Sequence, residues 1–178
     1  MIKILNELIE KNSWACFYTN NLETDKFIYG KILSFNDDEI AIHSVAPSGE
    51  DDGVVVMNMQ NVFRIEINGQ YALKMAKLIN DEDIRSYSIP FQDNNLMTSV
   101  LKYSMQQKEV ASIELVNSGL WNVVGIVDTI DSSICTVNQI DEYGFDDGVS
   151  VLDINSVTKL SICSQEELIV KRLIDTDK

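Results

Sequence analysis

The residues in this chain that could carry out chemistry are few and scattered. It contains a single histidine, His43. A catalytic histidine needs an adjacent nucleophile and an orienting acid. Ser44 follows His43, but no recognised nucleophile motif surrounds the pair. We therefore predict a structural or a surface position for His43, a protein that is not an enzyme, and no bound cofactor.

The most regular polar feature is an acidic pair followed by glycine, which occurs twice. It reads Asp51-Asp52-Gly53 and, later, Asp146-Asp147-Gly148. Asp-Gly favours a hairpin turn, because glycine accepts a positive φ and aspartate bonds the local backbone. Two adjacent carboxylates could instead hold a hard cation such as Ca²⁺ or Mg²⁺, or form part of an edge that binds a partner. We favour the turn and expect no metal site.

Aromatic side chains are candidates for the core, for partner anchors and for base stacking. Stacked bases need a positively charged groove alongside, and the candidate cations in the first half are Lys26, Lys31 and Arg64. Tyr143 and Phe145 precede the second acidic pair in a loop, where an aromatic ring has no obvious place in the core. The residues that we predict to contact a partner are Tyr143, Phe145, Asp51, Asp52, Asp146 and Asp147.

The charge of the chain disfavours nucleic acid and membrane surfaces. Twenty-eight acidic residues oppose fourteen basic ones, for a formal net charge of −14. Such a charge repels phosphate backbones and anionic headgroups. Residues 93–178 carry six basic and fourteen acidic residues, so the second half is the less suited to nucleic acid.

Cysteine usage and hydropathy predict the compartment. Cys16, Cys135 and Cys163 are odd in number and far apart, a pattern typical of buried thiols in a reducing compartment. Glu7 and Glu10 interrupt the first residues, unlike a secretory signal. No stretch approaches the roughly 18 apolar residues of a membrane span. We therefore expect a cytoplasmic protein that does not enter a membrane.

A repeat organises these residues into two copies. At an offset of 95 residues, positions 30–79 match positions 125–174 with 13 identities over 50 gapless positions. Both acidic pairs take part in this match. Two copies at such a period indicate a duplicated domain rather than a solenoid. We predict domains at 1–80 and 93–178, joined by a linker at 81–92 that is too apolar for a free tether and packs against one domain or seals the pair.

Each copy shows the pattern of a helix, five strands and a closing helix. Alternating apolar residues predict sheets with one buried face, and only two residues separate the fourth and fifth strands, which predicts a single helical turn there. Asp93 or Asn94 is placed to cap the helix of the second copy. The predicted strands are 14–19, 27–35, 39–45, 53–59 and 62–67, then 110–116, 121–130, 133–140, 148–154 and 157–162.

The stretch 27–42, FIYGKILSFNDDEIAI, resembles the first signature of Sm-like proteins. That signature has a glycine, an apolar residue two positions later, and Asp or Asn before a turn and an apolar strand. Gly125, Val127 and Asp131 repeat the pattern in the second copy. The resemblance implies a helix before a five-stranded, strongly bent small barrel, and other SH3-like barrels share the same pattern.

The sequence departs from these families where they bind RNA. Sm-like proteins use an Asn after the second strand and an Arg-Gly or similar pair before the last strand. Residues 37–39 and 59–62 read DDE and MQNV there, and residues 132–133 and 154–157 read SS and INSV. A fainter likeness, to the carbon storage regulator family, covers residues 40–47 and 54–56 but lacks that family's arginine. The resemblance therefore implies the fold without the RNA site.

These patterns predict a mainly β protein with flanking helices (α+β), made of two tandem five-stranded small barrels of Sm-like or SH3-like type. We expect a non-enzymatic binding or regulatory module. It would engage a protein partner, or a second copy of itself, through barrel edges and loops, because a partner strand can extend an exposed edge. The alternative is an RNA-binding post-transcriptional regulator of Sm-like or carbon-storage-regulator type.

Overall fold

A computed structural model describes residues 1–20, 22–92 and 95–176. The chain divides into two compact units, Met1–Ser88 and Ile89–Lys178, so the division falls inside the predicted linker. Within the described residues, no helix combines the length and the apolar character that a bilayer crossing requires.

Unit 1 contains a five-stranded antiparallel sheet with helices before and after it. Its elements are α1 (Ile2–Glu10), β1 (Ala15–Tyr18), β2 (Ile28–Phe35), β3 (Glu39–Val45), β4 (Asp51–Asn58), a 3₁₀ turn (Met59–Asn61), β5 (Arg64–Glu66), α2 (Gln70–Met75) and a second 3₁₀ turn (Asp81–Asp83). The strands lie in the order β5-β1-β2-β3-β4.

Unit 2 has the same order of helices and strands around its sheet. Its elements are α3 (Leu96–Gln107), β6 (Val110–Leu115), β7 (Val123–Asp131), β8 (Ile134–Ile140), β9 (Asp146–Asp153), a 3₁₀ turn (Ile154–Ser156), β10 (Val157–Ile162) and α4 (Gln165–Thr176). The strands lie in the order β10-β6-β7-β8-β9. As in unit 1, the fifth strand of the unit is followed by its first, second, third and fourth strands.

The fold is mainly β with flanking helices, which confirms that part of the prediction. The single helical turn before the last strand of each unit is also confirmed. A closed barrel requires hydrogen bonds between the two outermost strands of a sheet. Within the described residues these bonds are absent between β5 and β4 and between β10 and β9, so the sheets are not closed barrels. Tandem barrels are therefore not confirmed. In unit 1, the outer strand β5 spans three residues and pairs with β1.

A side-chain cap starts the helix of unit 2. Asn95 Oδ1 accepts a hydrogen bond from the Thr98 backbone N–H at 2.7 Å, which satisfies one of the free amides of the first turn of α3. The predicted cap residues, Asp93 and Asn94, lie outside the described residues.

Two apolar clusters hold unit 1 together, one on each side of β1. Ala15 and Phe17 pack in a cluster with Leu5 and Leu8 of α1. The alternating residues Cys16 and Tyr18 pack in another cluster, which also contains Met75 of α2. All four residues of β1 are therefore buried, and the expectation of a single buried face is wrong for this strand. The reason is that a helix contributes side chains to each cluster.

The glycine that anchors the repeat is required by a close backbone approach. Gly30 lies opposite Ser44 between β2 and β3, and Gly125 lies opposite Gln139 between β7 and β8. A Cβ atom at Gly30 would overlap the carbonyl oxygen of the cross-strand His43, and one at Gly125 would overlap that of Asn138. Only glycine lets the paired strands approach this closely.

Candidate functional site

The most exposed apolar strand of unit 2 is its outer strand, β9. Within the described residues β9 is hydrogen-bonded to β8 and to no other strand. Val149 and Val151 are 63% and 68% exposed. Because alternate residues of a strand share a face, the two valines form an apolar stripe along an open edge.

The loop that leads into β9 presents the two predicted aromatic anchors. Tyr143 and Phe145 are 64% and 58% exposed. Asp141 Oδ1 accepts hydrogen bonds from the backbone N–H of Tyr143 at 2.9 Å and of Phe145 at 2.8 Å, which orders the loop. Gly144 between them has φ +90° and lies against Leu173, so a side chain at this position would be strained and crowded.

The two acidic pairs lie within strands rather than at the hairpin tips, so their assignment as hairpin turns is wrong. The turns occur earlier, at residues 46–49 and 141–144. The pairs belong to β4 and β9, beside register shifts in the ladders with β3 and β8. Gly53 and Gly148 have φ values of +74° and +90°, as expected for a β-bulge that needs a left-handed residue. The same local hydrogen bond stabilises both bulges. The Oδ1 atom of the first aspartate accepts a hydrogen bond from the backbone N–H of the glycine two residues later.

The two copies of this motif have different surroundings. Asp146 and Asp147 are exposed, whereas Asp51 is buried and Asp52 is half-buried. Within the described residues, no group of three or more histidine, cysteine, aspartate or glutamate side chains is arranged to hold a metal ion.

Asp51 is the centre of a buried hydrogen-bond network in unit 1. Its Oδ2 lies 2.7 Å from His43 Nε2 and accepts from the Arg85 backbone N–H at 3.0 Å. Its Oδ1 accepts from the Tyr87 hydroxyl at 2.8 Å and from the Gly53 N–H at 3.0 Å. Two donors come from the predicted linker, so this part of the segment packs on unit 1. His43 is 6% exposed and its Nε2 contacts Asp51, so of the two predicted positions it has the buried, structural one.

The same network shifts the titration of Asp51. Burial alone would raise its pKa, but the hydrogen bonds from His43, Tyr87 and the Gly53 and Arg85 amides favour the charged carboxylate more strongly. The pKa of Asp51 is therefore below its usual value.

The candidate RNA-binding cations of unit 1 contact aromatic rings and carboxylates. Lys31 Nζ lies 4.6 Å from the Trp14 ring centroid, and the Arg64 guanidinium lies 4.2 Å from that of Tyr18. Arg64 also pairs with Glu66 at 2.6 Å. Lys26 likewise pairs with Glu23 at 2.6 Å.

These rings belong to a continuous aromatic cluster. Tyr18 and Tyr29 are buried, and Trp14, Phe27 and Tyr71 pack against their cluster. Neighbouring centroids lie 4.7 to 5.7 Å apart along the series Trp14, Tyr29, Tyr71, Phe27 and Tyr18. Such spacing is typical of stabilising aromatic contacts. Of the core candidates in this cluster, Tyr18 and Tyr29 are buried, whereas Trp14 and Phe27 are half-buried.

A cavity of about 380 Å³ in unit 2 was not anticipated from the sequence. One set of its lining residues comes from the sheet and the loops, and the other comes from α4. Its apolar lining residues are Trp121, Val124, Ile140, Ile169 and Val170. Its acidic lining residues are Asp141, Glu142, Glu166 and Glu167.

Glu167 has a structural role beside this cavity. Its Oε2 accepts from the Ser164 backbone N–H at 2.7 Å and from the Ser161 hydroxyl at 3.2 Å. Ser164 and Glu167 form a capping box at the start of α4, and the spacing Ser-x-x-Glu in the sequence could have predicted it. Burial raises the pKa of Glu167 despite these hydrogen bonds.

Lys159 contacts Trp121 from outside the cavity lining. Its Nζ lies 4.9 Å from the Trp121 ring centroid. Burial lowers the pKa of Lys159, while the carboxylates of Glu114 and Glu167 oppose that shift. The Lys159 ammonium therefore contacts the Trp121 ring and is attracted by two carboxylates.

The three cysteines are buried and free, as predicted. Burial raises the pKa of the Cys16 and Cys135 thiols to about 11. Both thiols are therefore protonated at neutral pH and are poor nucleophiles.

In comparisons with known proteins, the chain matches no protein family, no curated protein and no solved structure. The Sm-like and SH3-like resemblance therefore stays a prediction.

Proposed function

We propose that the protein is a non-enzymatic, cytoplasmic binding module whose open β9 edge pairs with an extended strand of a protein partner. The observation that carries this proposal is the outer position of β9 together with the exposure of Val149 and Val151. An outer strand presents unpaired backbone groups that a partner strand can satisfy. A strand from a second copy of the chain would satisfy them in the same way.

The side chains around this edge indicate what the partner strand should carry. Val149 and Val151 favour apolar residues at alternating positions of the added strand. Tyr143 and Phe145, in an ordered loop, suit a role as aromatic anchors, which dominate many interfaces. Exposed Asp147 favours a basic residue at the end of that strand.

The finer architecture belongs to the same proposal. We infer that two small barrel-type domains of common origin, at 1–80 and 93–178, are joined by the linker 81–92. The shared strand order and the crowded glycines at equivalent positions support this duplication. The free, buried cysteines suit a reducing cytoplasm.

RNA binding is the weaker alternative. Lys26 and Arg64 each pair with a carboxylate, so two of the three candidate cations are already neutralised. The net charge of −14 acts against phosphate as well.

The proposal of strand pairing is tested by introducing positive charge at Val149 and Val151. We expect Val149→Lys/Val151→Lys to weaken partner binding by about tenfold or more, since each lysine disrupts an apolar contact on an edge strand. The tagged full-length chain is used to capture partners from native lysate, which are identified by mass spectrometry and RNA sequencing. Light scattering on the purified protein measures self-association.

Leu22→Lys is the matched control, because Leu22 is 90% exposed and lies in the other unit. It should retain the partners that the double variant loses. Equal capture by all three proteins would overturn the proposal. Co-purifying nucleic acid that dissociates steeply with rising salt would favour the RNA alternative instead.

A further inference from the structure

The cavity of unit 2 has the composition of a small-ligand site. Its volume of about 380 Å³ lies within the roughly 300–1,000 Å³ of ligand pockets in proteins. Trp121, Val124 and Ile169 supply apolar walls. These walls can take the apolar body of a ligand but do not select its charge.

The polar groups of the cavity select a positive charge. Asp141, Glu142 and Glu166 line it, and none of the residues in its lining is basic. Lys159, the ammonium group at the Trp121 ring, is already opposed by Glu114 and Glu167. The remaining carboxylates therefore leave an excess of negative charge around the apolar walls.

The Trp121 ring is an apolar wall of the cavity, and its cation-binding face is already in use. The face of an indole ring attracts cations, and the attraction is stronger where water is excluded. Lys159 Nζ already lies 4.9 Å from the ring centroid, so the ring has its cation partner within the chain and offers a ligand its apolar surface.

We propose that this cavity binds an alkyl cation, an ammonium or guanidinium group carried on a short apolar stem. The stem packs against Trp121, Val124 and Ile169, and the cation faces Glu142 and Glu166. The ligand is either a free small amine or the side chain of an arginine or lysine in a polypeptide. This inference goes beyond the proposed strand binding, and the β9 stripe takes no part in it.

The experiment is a titration of the ¹⁵N-labelled full-length chain, followed by NMR at the Trp121 indole N–H. The chain has two tryptophans, and a Trp14→Phe sample assigns the Trp121 signal. The probes are n-butylguanidinium and n-butylammonium for the free cation, and N-acetyl-arginine-N-methylamide for the side chain of a polypeptide. Butyrate and n-butanol share the stem but lack the positive charge.

We expect saturable shifts with the cationic probes and at least tenfold weaker binding of butyrate and n-butanol. Tighter binding of n-butylguanidinium or n-butylammonium would indicate a free small cation as the ligand. Tighter binding of N-acetyl-arginine-N-methylamide would indicate a side chain of a polypeptide. Glu142→Gln/Glu166→Gln should weaken binding of the cations about tenfold. The matched control is Asp128→Asn/Asp131→Asn, which removes two exposed acids of β7 outside the cavity lining and should change binding less than twofold.

Three results would overturn the proposal. They are the absence of saturable shifts at Trp121 with every cation, equal binding of butyrate or n-butanol, and equal weakening by both double variants. The last result would indicate a diffuse counterion effect. None of them bears on strand binding, which Val149→Lys/Val151→Lys tests separately.

Discussion

At the scale of single residues, the same local motif serves two different environments. Asp51 and Asp146 each accept a hydrogen bond from a bulge glycine two residues later. Asp51 is also bonded by Arg85 and Tyr87, which follow it by 34 and 36 residues. Asp146 is exposed. The local bond is therefore a property of the motif, whereas burial depends on residues distant in the sequence.

We expect Asp51→Asn to lower the free energy of unfolding by about 2–4 kcal/mol. The asparagine has no charge, and its amide nitrogen is a donor that would face the hydrogen-bond donors now bound to the second carboxylate oxygen. The measurement is urea denaturation at neutral pH. Asp146→Asn is the matched control, since it changes the equivalent aspartate at an exposed position, and it should cost about 0.5 kcal/mol or less. Equal losses in both variants would contradict the role of the Asp51 network.

The effect of Asp51→Asn should depend on pH. The folded pKa of Asp51 lies below its unfolded value, so its charged form contributes full stability above the unfolded pKa of about 3.9. That contribution decreases as the pH falls through the folded pKa. The difference between the wild type and Asp51→Asn should therefore shrink in acid, and a difference that grows in acid would contradict this account.

At the scale of elements, the second and third strands of each unit depend on a crowded glycine. The Cβ position at Gly125 is blocked by the backbone of β8, at Asn138 and Gln139. Backbone atoms cannot move aside as the end of a flexible side chain can, so a larger residue has to separate the two strands.

We expect Gly125→Ala to lower the free energy of unfolding by about 3 kcal/mol, since the added methyl group overpacks a paired strand. The control is Gly119→Ala, where the Cβ position is open but φ is +75°, and its cost should be about 1 kcal/mol from backbone strain alone. Chemical denaturation of both variants measures the difference. A smaller loss for Gly125→Ala than for Gly119→Ala would show that β7 and β8 adjust to the methyl group.

At the scale of the whole molecule, the charge is the dominant property. A net charge of −14 on 178 residues causes repulsion among the acidic groups of the folded chain. Salt screens such repulsion over about 10 Å at 0.1 M ionic strength. The stability of the protein should therefore increase with moderate salt.

We expect the melting temperature to rise by about 2–4 °C between about 20 and 300 mM NaCl, as screening adds roughly 1 kcal/mol of stability. Calorimetry or circular dichroism measures the shift. Asp128→Asn/Asp131→Asn carries two fewer negative charges and should respond less to salt. A melting temperature that falls with salt would show that attractive ion pairs outweigh the repulsion.

The sequence by itself determined the order of elements in each unit. Apolar periodicity placed the helices and strands within a few residues, and β3 and β10 have the predicted bounds. These features could be predicted because they depend on neighbouring residues, which a local pattern records. Gly30 and Gly125 were selected in a different way, by the 13 identities between the two copies of the repeat.

Only the tertiary structure decided which of these residues are accessible and what surrounds them. It buried Asp51 beneath Arg85 and Tyr87 and left Val149 exposed on an outer strand. It also brought Trp121 and Glu166 to one cavity, from a loop and from a helix. The physical reason is that burial, edge exposure and cavities arise from contacts between residues far apart along the chain, which no local pattern encodes.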